Sequence, residues 1–316
     1  MKIAILGAGA MGSLIGAHLT KGGAEVVLVD PYQAHMEAIR IHGLEMTING
    51  KAETVHMKAV CTPEEAGAVD LVIVLVKGMF TKTSVENARA LFTDKTCVAT
   101  LQNGIGNDDI LCGLFPAERV IKGVLKITSQ MTAPGKVKSN ILSDVTAVHL
   151  GWCAPDGPAQ AAAMKLAEKL HRGGLKVETH EHVDPFIWGK AVNNIAINAA
   201  CGIARLNINN FCAHPDGRRI MEESIREVIA VAAAKGVTLS FEQVIGSIER
   251  NTIPKFGTHL PSTAQDMVLR RPTEVDFLNG AIVRYGRELG IPTPVNDCIC
   301  AFTHIIQDNY EQQVFQ

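Results

Sequence analysis

"KIAILGAGAMGSLIGAHLTKGGAEVVLVD", residues 2–30, decides how the rest of the chain is read. "KIAIL" is a short apolar run, the right length for a buried strand. Glycines then fall at 7, 9 and 12, and "SLIGAHLTKGG" carries a helical pattern that closes at Gly22 and Gly23. "EVVLVD" is a second apolar strand ending at Asp30. A lone G-x-G-x-x-G is weak, but strand, glycine turn, helix and strand in this order form the phosphate-binding unit of a dinucleotide fold. Gly7 permits the tight turn, Gly9 lets the backbone approach a pyrophosphate, and Gly12 lets helix and strand pack closely. Together with Ala10 and Met11 they are the candidate cofactor-binding residues, because the N–H groups that open the helix point at the phosphates.

Asp30 is the next candidate. A carboxylate at the end of the second strand can hydrogen-bond the ribose hydroxyls of NAD and would repel the 2′-phosphate of NADP. It also suits a turn before Pro31. NAD(H) is therefore favoured, while His35 and Arg40, the nearest residues able to carry positive charge, keep NADP(H) open.

Further apolar runs continue the pattern. "VDLVIVLVK" (69–77) and "TCVATLQNGIGN" (96–107) read as parallel strands buried on both faces, and end toward Lys77 and Asn103. Ligands in such sheets bind beyond the carboxyl ends of the strands, which makes both residues candidates. "VIKGVLKIT" (120–128) and "TAVHLGW" (146–152) read as more strands, with "APGKVKS" (133–139) as a turn between two. A helix over 157–174 and a last strand, "LKVETHE", complete an α/β region near residue 181. From 182 onward the periodicity is helical. The expected architecture is a Rossmann-type dinucleotide-binding domain over 1–181 and an all-helical domain over 182–316.

Composition agrees. The 316 residues are 47% hydrophobic and 20% charged, ordinary for a globular chain of two domains. With a formal net charge of −2 and no basic block, nucleic acid is not an expected partner. No apolar run reaches the length of a membrane span, and the N-terminal apolar run is broken by glycines, unlike a signal peptide. The eight cysteines are scattered through apolar segments. Cys298 and Cys300 form a C-x-C without a second pair at zinc spacing, so no metal is expected. Buried thiols in a reducing cytoplasm are the plain reading. The amphipathic helices of the second half could pair into a homodimer or pack within one chain.

In the helical half, "WGKAVNNIAINAA" (188–200) stands out. Its Val, Ile and Ala residues read as core, yet Lys190, Asn194 and Asn198 recur every four residues. On a helix this puts them within an arc of about 80°. Buried amines and amides need partners, and a keto oxygen and a carboxylate would supply them. Downstream, "HLPSTAQDM" (259–267) places Ser262 and Asp266 after a loop, and "RRPTEVDFLNG" (270–280) places Glu274 at the expected start of a helix over 273–290. Thr273 would be its N-cap and Glu274 a first-turn carboxylate facing the helix dipole.

The chain closely resembles the ketopantoate reductase (2-dehydropantoate 2-reductase) family. The resemblance covers the whole sequence and rests on "GAGAMG", "VK" at 76–77, "QNGIGN" at 102–107, "WGKAVNN" at 188–194 and the long "RPTEVDFLNGAIVRYGRELGIPTPVN" at 271–296. It implies hydride transfer between NAD(P)H and a 2-keto acid. Lys190 matches the catalytic lysine that gives a proton to the carbonyl oxygen, and Glu274 the glutamate that contacts it. Asn103 matches a residue near nicotinamide and substrate, and Lys77 one of the cofactor site. Asn194, Asn198 and Ser262, with Lys190, match substrate contacts. Members that use NADP usually carry a basic residue where this chain has Asp30. That departure, with "VDPYQAHMEAIRIHGL", is similar to the NAD-dependent D-2-hydroxyacid dehydrogenase branch acting on branched or aromatic acids such as mandelate.

Overall fold

The computed structural model describes residues 1–142 and 144–314; Phe315 and Gln316, the end of the expected second domain, lie outside the described residues. The chain divides into two compact units, Met1–Asn103 with Asn107–Val183, and Gly104–Gly106 with Asp184–Gln316.

Among its described residues the first unit has twelve strands: β1 Lys2–Leu6, β2 Glu25–Val29, β3 Leu44–Ile48, β4 Lys51–Val55, β5 Lys58–Val60, β6 Leu71–Val74, β7 Cys97–Thr100, β8 Val120–Leu125, β9 Gln130–Ala133, β10 Lys136–Ser139, β11 Val148–Trp152 and β12 Val177–Thr179. Eight of them form one sheet in the order β12-β11-β8-β7-β6-β1-β2-β5. All neighbours are parallel except β8 and β11. The parallel centre explains the unbroken apolar runs: Leu71, Val72, Ile73 and Val74 of β6 are all fully buried. Burying each such side chain stabilises by about 1.5–3 kcal/mol. The helices Ala10–Lys21 and Pro158–Arg172 contribute Leu14, Ile15, Leu166 and Leu170 to the core on one face.

Four strands make a second, smaller sheet, β4-β3-β10-β9. The β9–β10 hairpin lies where a turn is expected over 133–139. The β3–β4 hairpin is additional. Its turn, Asn49-Gly50, has both φ angles positive, 50° and 82°. Asn-Gly between two alternating segments is a strong hairpin signal.

The second unit is helical. Asp184–Ala204 is its longest helix, with Val192, Ile195, Ala196 and Ala199 fully buried. It packs against the helices Pro215–Ala234, Ser262–Val268 and Pro294–Asp308. A buried polar network braces it. Asn279 Nδ2 donates to Ile195 O at 3.0 Å and to Asn296 Oδ1 at 2.9 Å, and Asn296 Nδ2 donates to Glu227 Oε2 at 2.7 Å. Among the described residues no helix is long and apolar enough to cross a membrane.

The helix expected over 273–290 starts later, at Asn279. A 3₁₀ turn, Val275–Phe277, precedes it, and Leu278 breaks the path at φ −116°, ψ −101°. Thr273 is not an N-cap: its N–H and hydroxyl both donate to Gln307 Oε1, at 2.8 and 3.0 Å. Glu274 therefore does not sit in the first turn of a long helix, and the dipole reading of this carboxylate is corrected.

Candidate active site

The glycine turn joins β1 to the helix Ala10–Lys21. Gly7 sits at φ +94°, and a Cβ there would lie 2.5 Å from Val76 N. A Cβ on Gly12 would lie 2.1 Å from Gly7 O. The turn can close this tightly only without side chains at 7 and 12. Gly9 differs. A Cβ there would meet nothing within 4 Å, which leaves open space over the helix N-terminus. The first helical bond runs from Ser13 N–H to Gly9 O at 2.9 Å, so the amides of Ala10, Met11 and Gly12 come before the ladder, where an anion is stabilised. Open space above Gly9 and orienting amides beside it fit the pyrophosphate of a dinucleotide.

Asp30 follows β2 directly. Its N–H donates to Val60 O at 3.2 Å, and its Oδ1 accepts the Tyr32 N–H at 2.9 Å. The turn role and the strand-end position coexist, since Oδ2 is not engaged by that turn. The two basic residues nearby fare differently. His35 is fully buried. Its Nδ1 accepts the Gly135 N–H at 2.8 Å, so the proton is on Nε2, which lies 2.9 Å from Ser13 Oγ. Ser13 Oγ in turn donates to Ala8 O at 2.8 Å. Burial holds the imidazole below its usual pKa. The expectation that His35 could meet a 2′-phosphate is corrected: it is a neutral brace behind the glycine turn. Arg40 is exposed and lies 3.6 Å from Glu37 Oε1, one turn back on its helix.

Lys77 and Asn103 follow adjacent strands. β6 stops at Val74 and β7 at Thr100, so each residue lies three beyond its strand. Gln102 ties the two loops together. Its Nε2 donates to Val76 O at 2.8 Å and to Thr81 Oγ1 at 2.7 Å, and its Oε1 accepts from Thr100 Oγ1 at 2.9 Å. Asn107 Nδ2 donates to Asn103 O at 3.0 Å. The structure thus gathers Gly7–Gly12, Asp30, Lys77 and Asn103 at the carboxyl ends of four adjacent strands, β7, β6, β1 and β2.

In the second unit, Lys190, Asn194 and Asn198 share one helix. Lys190 and Asn194 are half-buried, while Asn198 is only 7% exposed. Ser262 opens the helix packed alongside, and Asn198 Nδ2 reaches its Oγ at 3.3 Å. Two residues 64 positions apart are thereby joined. Glu274 is half-buried and lies directly before the 3₁₀ turn, at φ −92° and ψ 23°. Phe277 O, at the end of that turn, accepts the Ile105 N–H at 2.8 Å, and a Cβ on Gly104 would lie 2.2 Å from the same oxygen. A groove of about 660 Å³ in this unit is lined by Leu260, Met267, Val268 and Ile305 among others, and by none of the candidate site residues.

A family profile described as "Ketopantoate reductase PanE/ApbA" matches residues 3–149, and its C-terminal counterpart matches residues 182–307. The chain belongs to the ketopantoate reductase family. A 2-dehydropantoate 2-reductase of Streptococcus pyogenes serotype M18 is 32% identical over 305 residues, covering 96% of this chain and 97% of the relative. Among solved structures, a ternary complex of D-mandelate dehydrogenase with NADH and anilino(oxo)acetate is 33% identical with a TM-score of 0.87, covering 98% of this chain and 99% of that one. A PanE/ApbA family ketopantoate reductase from Ralstonia eutropha JMP134 has the same TM-score at 31% identity, covering 98% and 100%. The mixed α/β first unit and the helical second unit are the fold of this family.

Several residues that shape the site escape a reading by motif. Gln102 and Asn107 flank Asn103 within the family stretch "QNGIGN", and Thr81 completes their network. Ser129 Oγ donates to Ala10 O at 2.8 Å and braces the glycine turn from the residue just before β9. Asn279 and Asn296, both in the long family stretch, are structural ties of the Lys190 helix. Only a polar residue within an apolar run signals them in sequence.

Proposed function

We propose that the chain transfers hydride between a nicotinamide dinucleotide and a branched 2-keto acid, with reduction of ketopantoate to D-pantoate as the leading reaction. The observation that carries the reading is the polar stripe Lys190, Asn194 and Asn198 with Ser262, on a helix whose other faces are core. Such a stripe suits a small anion with a keto or hydroxyl oxygen. The cofactor supplies the hydride, and Gly7, Gly9, Ala10, Met11 and Gly12 are assigned to its phosphates. Lys190 is assigned to the carbonyl oxygen, where an ammonium stabilises growing negative charge and then donates a proton. Glu274 is assigned as its carboxylate partner. Asn194, Asn198 and Ser262 would orient the substrate, with Asn103 and Lys77 at the cofactor side.

For the cofactor we favour NAD(H). Asp30 follows the end of β2, where a carboxylate would meet the ribose hydroxyls, His35 is neutral and turned into the core, and Arg40 lies beside Glu37. The same feature supports a second reading, an NAD-dependent D-2-hydroxyacid dehydrogenase, and the likeness to D-mandelate dehydrogenase favours it equally. Relative kcat/KM for ketopantoate, 2-ketoisovalerate and benzoylformate, each with NADH and NADPH, separates them. Dominant turnover of ketopantoate supports the first reading; dominant turnover of benzoylformate replaces it with the second. No turnover of any of the three by protein that binds NADH rejects both.

A further inference from the structure

We propose that Asp276, Cys300 and His304 form a binding site for one divalent transition-metal ion of the zinc class. The three lie in the second unit, outside the candidate active-site residues. Cys300 and His304 are one turn apart on the helix Pro294–Asp308 and share a face. Asp276 comes from the 3₁₀ turn Val275–Phe277. His304 Nε2 is 2.9 Å from Asp276 Oδ1 and 3.9 Å from Cys300 Sγ. All three ligand atoms lie within 4.8 Å of one another.

The donor set is the one zinc takes. Sulfur at about 2.3 Å and nitrogen and oxygen at about 2.0–2.2 Å from a tetrahedral ion place ligand atoms roughly 3.2–3.7 Å apart. The observed nitrogen–oxygen and nitrogen–sulfur spacings bracket that range, and the sulfur and carboxylate oxygen lie within 4.8 Å, so the partly exposed Asp276 and His304 side chains need only local adjustment to close on one ion. The sulfur is buried, Cys300 being 7% exposed, whereas the His304 and Asp276 side chains are 42% and 57% exposed. Solvent can therefore complete the coordination. A Cβ on Gly280 would lie 3.2 Å from Asp276 Oδ1 and 3.4 Å from Cys300 Sγ, so the missing side chain keeps that flank uncovered. The surrounding charge also suits a cation. Asp297 acts on Cys300 along with Asp276, and the opposing Arg287 is bonded to Asp297 at 3.0 Å.

A second cluster, His149, Glu178 and His180, also brings three ligand atoms together. It is the weaker candidate because the Lys126 ammonium acts on it and no thiol contributes. In the proposed site the ion replaces the Cys300 S–H proton, which leaves to water, and the His304 ring proton moves from Nε2 to Nδ1. The ion then links the turn carrying Asp276 to helix residues 24 and 28 positions later in sequence. The separation explains why cysteine spacing alone does not reveal the site.

The test is a Zn²⁺ titration of the full chain against a chromogenic chelator, with metal content measured after dialysis. The expected result is one tightly held equivalent, with Cys300→Ser and His304→Ala each weakening it about tenfold or more. A His149→Ala/His180→Ala double variant should retain it. Zinc should raise the Tm of the unmodified protein and not that of His304→Ala, a partly exposed position whose variant serves even if Cys300→Ser misfolds. Loss of zinc only in the His149/His180 variant overturns the proposal. So does zinc that survives both Cys300→Ser and His304→Ala, which would sit on the exposed thiols of Cys112 or Cys298. Absence of binding by the unmodified protein at micromolar zinc also overturns it.

Discussion

Gly9→Ala separates the folding role of the glycine turn from its binding role. Gly9 has φ −64° and ψ −160°, a conformation open to any L-residue, and a Cβ there meets nothing within 4 Å. The change sets a small N-cap penalty against a gain of about 0.4–1 kcal/mol from the unfolded chain. Stability should therefore move by less than about 1 kcal/mol. Binding should not be spared. If the pyrophosphate occupies the open space, the new methyl holds it off the amides of Ala10 and Met11. Losing one or two charge-assisted hydrogen bonds at about 1.5–3 kcal/mol each weakens NADH by roughly 10- to 10⁴-fold. Gly12→Ala is the contrast. Its Cβ would meet Gly7 O at 2.1 Å, so the turn must move and the fold suffers. The assay is NADH affinity by fluorescence titration, paired with urea unfolding of the same samples. Unchanged NADH affinity in a normally folded Gly9→Ala protein would refute the placement of the phosphates.

Three further outcomes are expected. Lys190→Ala should lower kcat about 10²- to 10⁴-fold with NADH affinity within about twofold of the parent; full activity in single-turnover assays would remove Lys190 from the chemistry. Asp30→Ala should weaken NADH about 10- to 100-fold, the worth of a hydrogen bond to a charged group, and leave NADPH little changed; equal losses for both cofactors would mean that Asp30 serves only the turn. His149 is held down to about 4 by burial first, then by the charges of Lys126 and His180. Its lowered pKa gives stability that is present above the unfolded value near 6.5 and lost as pH falls toward 4. Unfolding free energy should drop by about 1–2 kcal/mol from pH 7 to pH 5, and His149→Gln should flatten that slope; an identical slope in the variant would assign the loss to other groups.

What the sequence makes legible here is what residue type alone encodes. The glycine turn is readable because φ +94° at position 7 and the contact at position 12 admit nothing but glycine. The Lys190 stripe is readable because period and polarity conflict with an otherwise apolar helix. Asn49-Gly50 was equally open to reading, but apolar periodicity passes over a strand such as β4, four of whose five residues are exposed. His35 was not open in the same way. Its charge state depends on Gly135, one hundred residues away, and side-chain type cannot reveal that. The late start of the Asn279 helix has the same character, because Gln307 captures Thr273 through a contact 34 positions away.

The brace behind the glycine turn has a practical consequence. The chain has eleven histidines, and in His35 the Gly135 amide fixes which ring nitrogen bears hydrogen. That Nε2–H is shut away from solvent and bonded to Ser13 Oγ, so it should exchange slowly and resonate apart from the other imidazoles in a proton spectrum. It is a natural reporter, needing no label, on the glycine turn. Its signal would fade when the β9–β10 hairpin loosens, even while the large sheet stays intact.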